Sequence, residues 1–209
     1  MIKPAPFVDP GTSERDFSPE FVALWPPLVE WVRPHYDHEH LFFTVRWLLT
    51  IEPEASEALL VAALTHDMER HFPGGTQPDK AAGAWDDEEY NLMHARRSAN
   101  IVMPWLREHG APEELVRDAE RPILEHELGG SPEGNLVQAA DSLSFLDVNG
   151  RLVSSWVLKG ETSLDNGIRK LDWMYERIAV PEARELARPL YERAVVWVRE
   201  DVAAAAVSR

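Results

Sequence analysis

The chain has no cysteine among its 209 residues, which excludes disulfides, thiolate metal sites and a cysteine nucleophile. Any metal must be held by His, Asp or Glu. Long apolar runs are missing as well. No stretch approaches the roughly 18 apolar residues of a membrane span, and the opening "MIKPAPFVDPGTSERD" lacks the apolar core of about 7 to 15 residues that marks a secretory signal. A cytoplasmic location with no membrane partner is expected. Basic residues are scarce: 21 Lys and Arg stand against 36 Asp and Glu, a formal charge of -15. That balance repels polyanions and argues against broad nucleic-acid binding, while a local cluster of Arg and Lys can still take a small phosphorylated substrate. Sustained apolar-polar alternation is also lacking, so the expected fold class is all-α.

The composition present, 44% hydrophobic and 27% charged, suits a chain that folds around one core. Residues 1–16 are Pro-rich and polar, a tail or a wrapping arm, and 17–205 are expected to form the helical core. Ser18 and Pro19 start a helix in "FSPEFVALW", and "PPLVEWVRPHY" is expected to restart the chain after Pro26 and Pro27. Apolar helices follow in "HLFFTVRWLLTI" and "EASEALLVAALTHDMERHF", the second stopping at "PGG". Residues 73–88 lack periodicity and read as a long loop, of the kind that often forms a lid. Helices resume in "EEYNLMHARRSANIVMPWLREHG", "APEELVRDAERPILEHELGG" and "SPEGNLVQAADSLSFLDV", and two more, near 163–179 and 182–204, close the chain. The terminal "DVAAAAVSR" is expected to be a fraying helix end, and the aromatic-rich C-terminal helices are a candidate homodimer surface.

Polar groups inside the apolar stretches carry the functional information. His66 shares a helical face with Leu59, Ala62 and Ala63, and Asp67 shares one with Leu60, Ala63 and Leu64. A buried carboxylate without a partner costs several kcal/mol, so this pair wants a mutual hydrogen bond or a cation. His40, His94, His126 and Asp141 repeat the pattern in other helices. Imidazole with carboxylate suits Fe, Mn, Zn, Co or Ni. Six such residues are too many for one tetrahedral zinc and fit either two adjacent ions bridged by a carboxylate or one octahedral ion with spare neighbours.

The ordered set His40, His66-Asp67, His94, His126, Asp141, with "DHEH", "LLVAALTHD" and "QAADSLSF" around it, resembles the HD-domain superfamily of metal-dependent phosphohydrolases over residues 37–147. The resemblance implies a single-domain HD-type helical bundle. It also implies a dinuclear subgroup in which His40, His66, Asp67 and Asp141 are the core ligands, His94 and His126 serve the second ion, and Asp67 bridges the two and is the residue assigned to catalysis. Two divalent transition metal ions are the implied cofactors, and hydrolysis of a small phosphorylated metabolite or nucleotide by metal-activated water is the implied activity. One departure stands out: where several single-metal members place a catalytic Glu three residues after the HD pair, this chain has Arg70, and Glu69 falls one residue early. Some dinuclear members are iron oxygenases, and a non-catalytic metal-containing ligand-binding or regulatory domain is a third reading. For an anionic substrate, Arg70 and Arg97, each three or four residues beyond a candidate ligand, are the first-rank contacts, with Lys80 and Lys170 behind them and Arg169 beside the latter. His35, His38, His71 and His109 are expected at exposed element ends, and Trp31, Trp47, Trp105, Trp156 and Trp173 in the core.

Overall fold

The computed structural model describes residues 3–75 and 78–207. Met1 and Ile2 of the expected N-terminal arm, Thr76 and Gln77 of the expected loop 73–88, and Ser208 and Arg209 of the expected fraying end lie outside the described residues. The described chain is helical, without strands: α1 Pro19–Val32, α2 His38–Ile51, α3 Glu57–Thr65, a single 3-10 turn Met68–His71, α4 Glu88–Glu108, α5 Glu113–Glu125, α6 Pro132–Val148, α7 Gly150–Leu158, α8 Leu164–Glu176 and α9 Pro181–Val207.

Local chemistry sets many of the starts. Ser18, Ser56, Asp87, Ser131 and Ser163 each accept a hydrogen bond from a backbone N–H in the first turn of the helix that follows, satisfying one of the orphan donors there. Pro19 and Pro132 occupy the first turn, where no N–H is needed. Helix α3 is apolar almost all round and accordingly buried, while α6 is buried along most of its length with polar Gln138, Asp141, Ser142 and Ser144 among its enclosed residues. Helix α6 is the axis of the fold, packed against α2, α3 and α5 and also against α8 and α9.

Three expectations need correction. The chain does not restart at Pro26 and Pro27, because α1 runs through both. Their missing donors would have served the carbonyls of Val22 and Ala23, and both prolines and Ala23 are exposed, so water can satisfy what the helix gives up. The apolar helix carrying Leu59 to Leu64 stops at Thr65, and His66 and Asp67 fall in the bend before the 3-10 turn. Finally, α7 forms a separate short helix that periodicity did not reveal. It starts at Gly150, where an added Cβ would come within 3.1 Å of the Ala194 side chain on α9. The N-terminal residues lie along α1 and α2: Phe7 packs on Trp25 and Phe42, and Ala5 bonds Thr50 and Arg46.

Candidate metal centre

Four imidazoles meet near the middle of the bundle, delivered by the first turn of α2 (His40), the bend after α3 (His66), α4 (His94) and the residue after α5 (His126). All are buried. Each is oriented through its Nδ1. His66 and His126 donate to the carbonyls of Ala63 and Ile123, at 3.0 and 2.7 Å, a consequence of each ring folding back over the helix end it follows. His94 Nδ1 lies 2.9 Å from Glu69 Oε1, and His40 Nδ1 lies 2.9 Å from Ser144 Oγ, whose own proton goes to the His40 carbonyl. Each Nδ1 therefore holds a proton, and each Nε2 faces the interior.

The inward atoms lie against carboxylates. His40 Nε2 is 3.1 Å and His66 Nε2 3.6 Å from Asp141 Oδ1; His94 Nε2 is 2.7 Å and His126 Nε2 3.8 Å from Asp67 Oδ1. His94 and His126 oppose one another at 3.3 Å between Nε2 atoms. His66 Nε2 is fully buried with no hydrogen-bond partner among the described residues. Inward lone pairs in contact with carboxylates and with one another require extra protons or a cation. Two groups have donor atoms close enough to share an ion: Asp67, His94, His126 and Glu127, and His40, His66 and Asp67. The cluster thus fits metal binding, with Asp67 common to both groups.

Burial and charge pull these groups apart. Burial opposes a charge on His66, but its contact with Asp141 outweighs this and raises its pKa to about 9. For His126 burial dominates and pushes it down to about 4. Burial would raise Asp67, yet the Arg70 guanidinium and His94 hold it well below the usual carboxylate range. Asp141 behaves alike, with Arg177 as the strongest opposing charge.

A cavity of about 260 Å³ opens over the cluster. Its floor includes His40, Asp67, Glu127 and Asp141; Trp85, Phe145, Leu152, Trp156 and Met174 form apolar walls, and Arg70, Lys80, Lys170 and Arg177 bring positive charge. Arg70 is already committed, with Nε 3.2 Å from Asp67, Nη1 donating to Tyr90 and Nη2 3.3 Å from His94. Lys80 sits over the Trp156 ring and pairs with Glu161 at 2.8 Å. Lys170 differs. Its ammonium lies over Trp173, Phe145 and Trp85, at 4.4, 5.1 and 5.7 Å from the ring centres, and no carboxylate among the described residues pairs with it. Burial lowers its pKa to about 8. Arg97 stands apart from the cavity, behind His94, where it donates to Glu69 and to the Pro73 carbonyl. Arg169 is exposed, beside Asn166.

The loop before α4 forms part of the cavity wall and is stitched to the segment before and within α8. Trp85 Nε1 donates to the Asn166 carbonyl, Asn166 Nδ2 to the Ala81 carbonyl, and Thr162 Oγ1 to the Lys80 carbonyl.

Sequence reasoning missed Glu127 and Arg177. Glu127 directly follows His126, an adjacency that was its one available cue. Arg177, from the end of α8, had none. His35 was expected to be exposed but is buried, with Nδ1 accepting from the Asp37 N–H and Nε2 against the Asp67 carbonyl; His38, His71 and His109 are exposed. Trp47 is buried, while Trp31, Trp105, Trp156 and Trp173 are partly exposed. No protein family, curated protein or solved structure matches the chain.

Proposed function

We propose that this protein is an HD-type metal-dependent phosphohydrolase acting on a small phosphorylated substrate. The observation that carries the reading is a cluster of inward-facing imidazoles with a shared carboxylate, Asp67, beside a cavity that His40, Asp67, Glu127 and Asp141 line and that also holds an ammonium, Lys170, with no paired carboxylate among the described residues. Anion recognition within a chain of net charge -15 calls for such a local concentration of cations. Two divalent transition ions, held by His40, His66, Asp67 and Asp141 and by Asp67, His94 and His126, would supply an activated water and neutralise charge on phosphoryl oxygens.

The chain's own groups do the rest. Lys170 has three N–H donors, lies over ring faces and has no hydrogen-bonded carboxylate among the described residues, so its donors are open to phosphoryl oxygens. Arg70, fixed by Asp67 and Tyr90, lends positive charge to the same space without leaving its partners. Lys80 stands where the loop meets α7 and α8 and steers anions inward. The walls of Trp85, Leu152, Trp156 and Met174 take the organic part of the substrate and exclude water from it.

The test is phosphate release from a panel of phosphomonoesters by protein loaded with Mn2+, Fe2+, Co2+, Ni2+ or Zn2+, with Asp67→Ala as the inactive comparison. Turnover of at least one ester, lost in the variant, is the expected result. Oxygen consumption by the iron-loaded protein without phosphate release would replace the reading with an oxygenase. Stabilisation by a ligand without any turnover would replace it with a binding domain.

A further inference from the structure

We propose that Glu127 is a metal ligand, completing a four-donor subsite with Asp67, His94 and His126, and that Arg177 is the positioning residue for it. The inference rests on the metal-binding part of the functional reading and not on the phosphoester chemistry. Ions of the zinc and manganese class sit about 2.0 to 2.2 Å from nitrogen and oxygen donors, which places neighbouring donors roughly 3 to 3.6 Å from one another. Glu127 Oε1 lies 3.7 Å from His94 Nε2 and 3.8 Å from His126 Nε2, nearly the spacing at which the two imidazoles and Asp67 approach each other, 2.7 to 3.8 Å. All four donor atoms lie within 4.8 Å of one another. Two imidazoles with two carboxylates make a mixed nitrogen and oxygen set that suits Mn, Fe or Zn.

The other oxygen of Glu127 explains why the first one faces inward. Arg177 Nη1 donates to Glu127 Oε2 and to the Glu127 carbonyl, Nη2 donates to Asp141 Oδ2, and Nε donates to Ser142 Oγ at 2.8 Å. One planar guanidinium thus takes a single oxygen from each carboxylate and leaves Glu127 Oε1 and Asp141 Oδ1 turned toward the imidazoles. Glu127 Oε1 also lies 3.8 Å from Arg70 Nη2, so this oxygen has a cationic neighbour of its own in addition to the two inward nitrogens, and only a metal-binding measurement separates a ligand from a second counterion. The neighbouring donor group, which shares Asp67, adds a buried His66 Nε2 with no hydrogen-bond partner among the described residues, its ring 4.9 Å from that of His126.

The test is equilibrium dialysis of the full chain, stripped of metal, against Mn2+, with equivalents and affinities measured for the natural sequence, Glu127→Gln and Glu127→Asp. Gln keeps the hydrogen bond to Arg177 and removes the ligand's charge; Asp keeps the charge and withdraws it by one methylene. Helical circular dichroism and the Tm of the apo proteins verify folding. We expect two equivalents for the natural sequence. In Glu127→Gln one equivalent keeps its affinity and the other weakens by at least about tenfold, as for disturbed metal shells generally, and Glu127→Asp weakens the same equivalent less. Two equivalents at unchanged affinity in Glu127→Gln would overturn the assignment; should that variant fail to fold, unchanged binding in Glu127→Asp would do so. Loss of one equivalent in a protein that hydrolyses no phosphoester would sink the functional reading and leave Glu127 as a ligand, whereas a natural sequence that binds no metal overturns both.

Discussion

Helices α2 to α6 and helices α7 to α9 contribute to the same cavity by different chemistry. The first group supplies the histidines and aspartates that make the floor, along with Glu127 in the link between α5 and α6. The second group and its connections supply cover and countercharge: Leu152 and Trp156 from α7, Lys170 and Met174 from α8, and Arg177 at its end. Metal-type donors therefore come from one half of the chain, while the space above them is shaped by both: Arg70, Lys80, Trp85 and Phe145 from the first group and its connections meet Leu152, Trp156, Lys170, Met174 and Arg177 from the second. On the proposed function, such a centre would separate ion binding, carried by the first region, from part of the substrate choice, carried by the second, and substitutions in the two regions should fail in different ways.

The largest effect is expected at Asp67, which belongs to both donor groups. Asp67→Ala removes the shared carboxylate, and since bound ions supply several kcal/mol of charge stabilisation, phosphate release should drop by about a thousandfold or more, with elemental analysis showing metal lost as well. Arg177→Met probes the seam between the regions. It leaves Asp141 and Glu127 buried without their guanidinium, which costs about 3 to 5 kcal/mol for broken buried pairs; apo-protein Tm should fall and partly recover on adding Mn2+. Recovery to the natural Tm without metal would mean that the two regions are not coupled through this residue. Lys170→Met should leave metal content untouched and raise KM about 10- to 100-fold, the equivalent of a charged hydrogen bond, with a smaller change in kcat. Burial, the proximity of Arg177 and Arg70, and the opposing pull of Glu127 and Asp141 place the Lys170 pKa at about 8. Its charge is present below that pH and lost above it, so KM should rise as pH passes about 8, and Lys170→Arg should flatten that limb. A KM independent of pH in both proteins would remove Lys170 from substrate binding. Lys80→Gln, at a rim position already paired with Glu161, should shift KM by only a few-fold, in line with an exposed pair worth up to about 1 kcal/mol.

The all-helical class and the meeting of His40, His66, Asp67, His94, His126 and Asp141 could be read in the sequence because an imidazole or carboxylate in, or directly after, a helix that enters the core is costly to bury, and the cost is visible without coordinates. Glu127 and Arg177 were hidden for the opposite reason. Acidic and basic residues at helix ends are ordinary on a surface, and only the packing of α8 against α6, which brings together residues 36 and 50 positions apart, shows that these are buried. Arg97 illustrates the limit of helical spacing: it follows His94 by three residues, yet its guanidinium turns back to Glu69 and Pro73 and away from the cavity. Pro26 and Pro27 illustrate the limit of punctuation rules, since a solvated helix face tolerates what a buried one would not. His35 was misjudged because its neighbours Pro34 and Tyr36 suggest an exposed turn, while its ring tucks beneath the Asp67 carbonyl.

The stitching of the loop before α4 to α8 also makes the cavity report on itself. The Trp85 side chain is nearly buried, and its indole proton is held by the Asn166 carbonyl at 2.8 Å. Deuterium replaces that proton when the bond to the helix breaks, so its exchange rate in D2O follows, averaged over the population, how readily this wall of the cavity opens in a protein carrying no label.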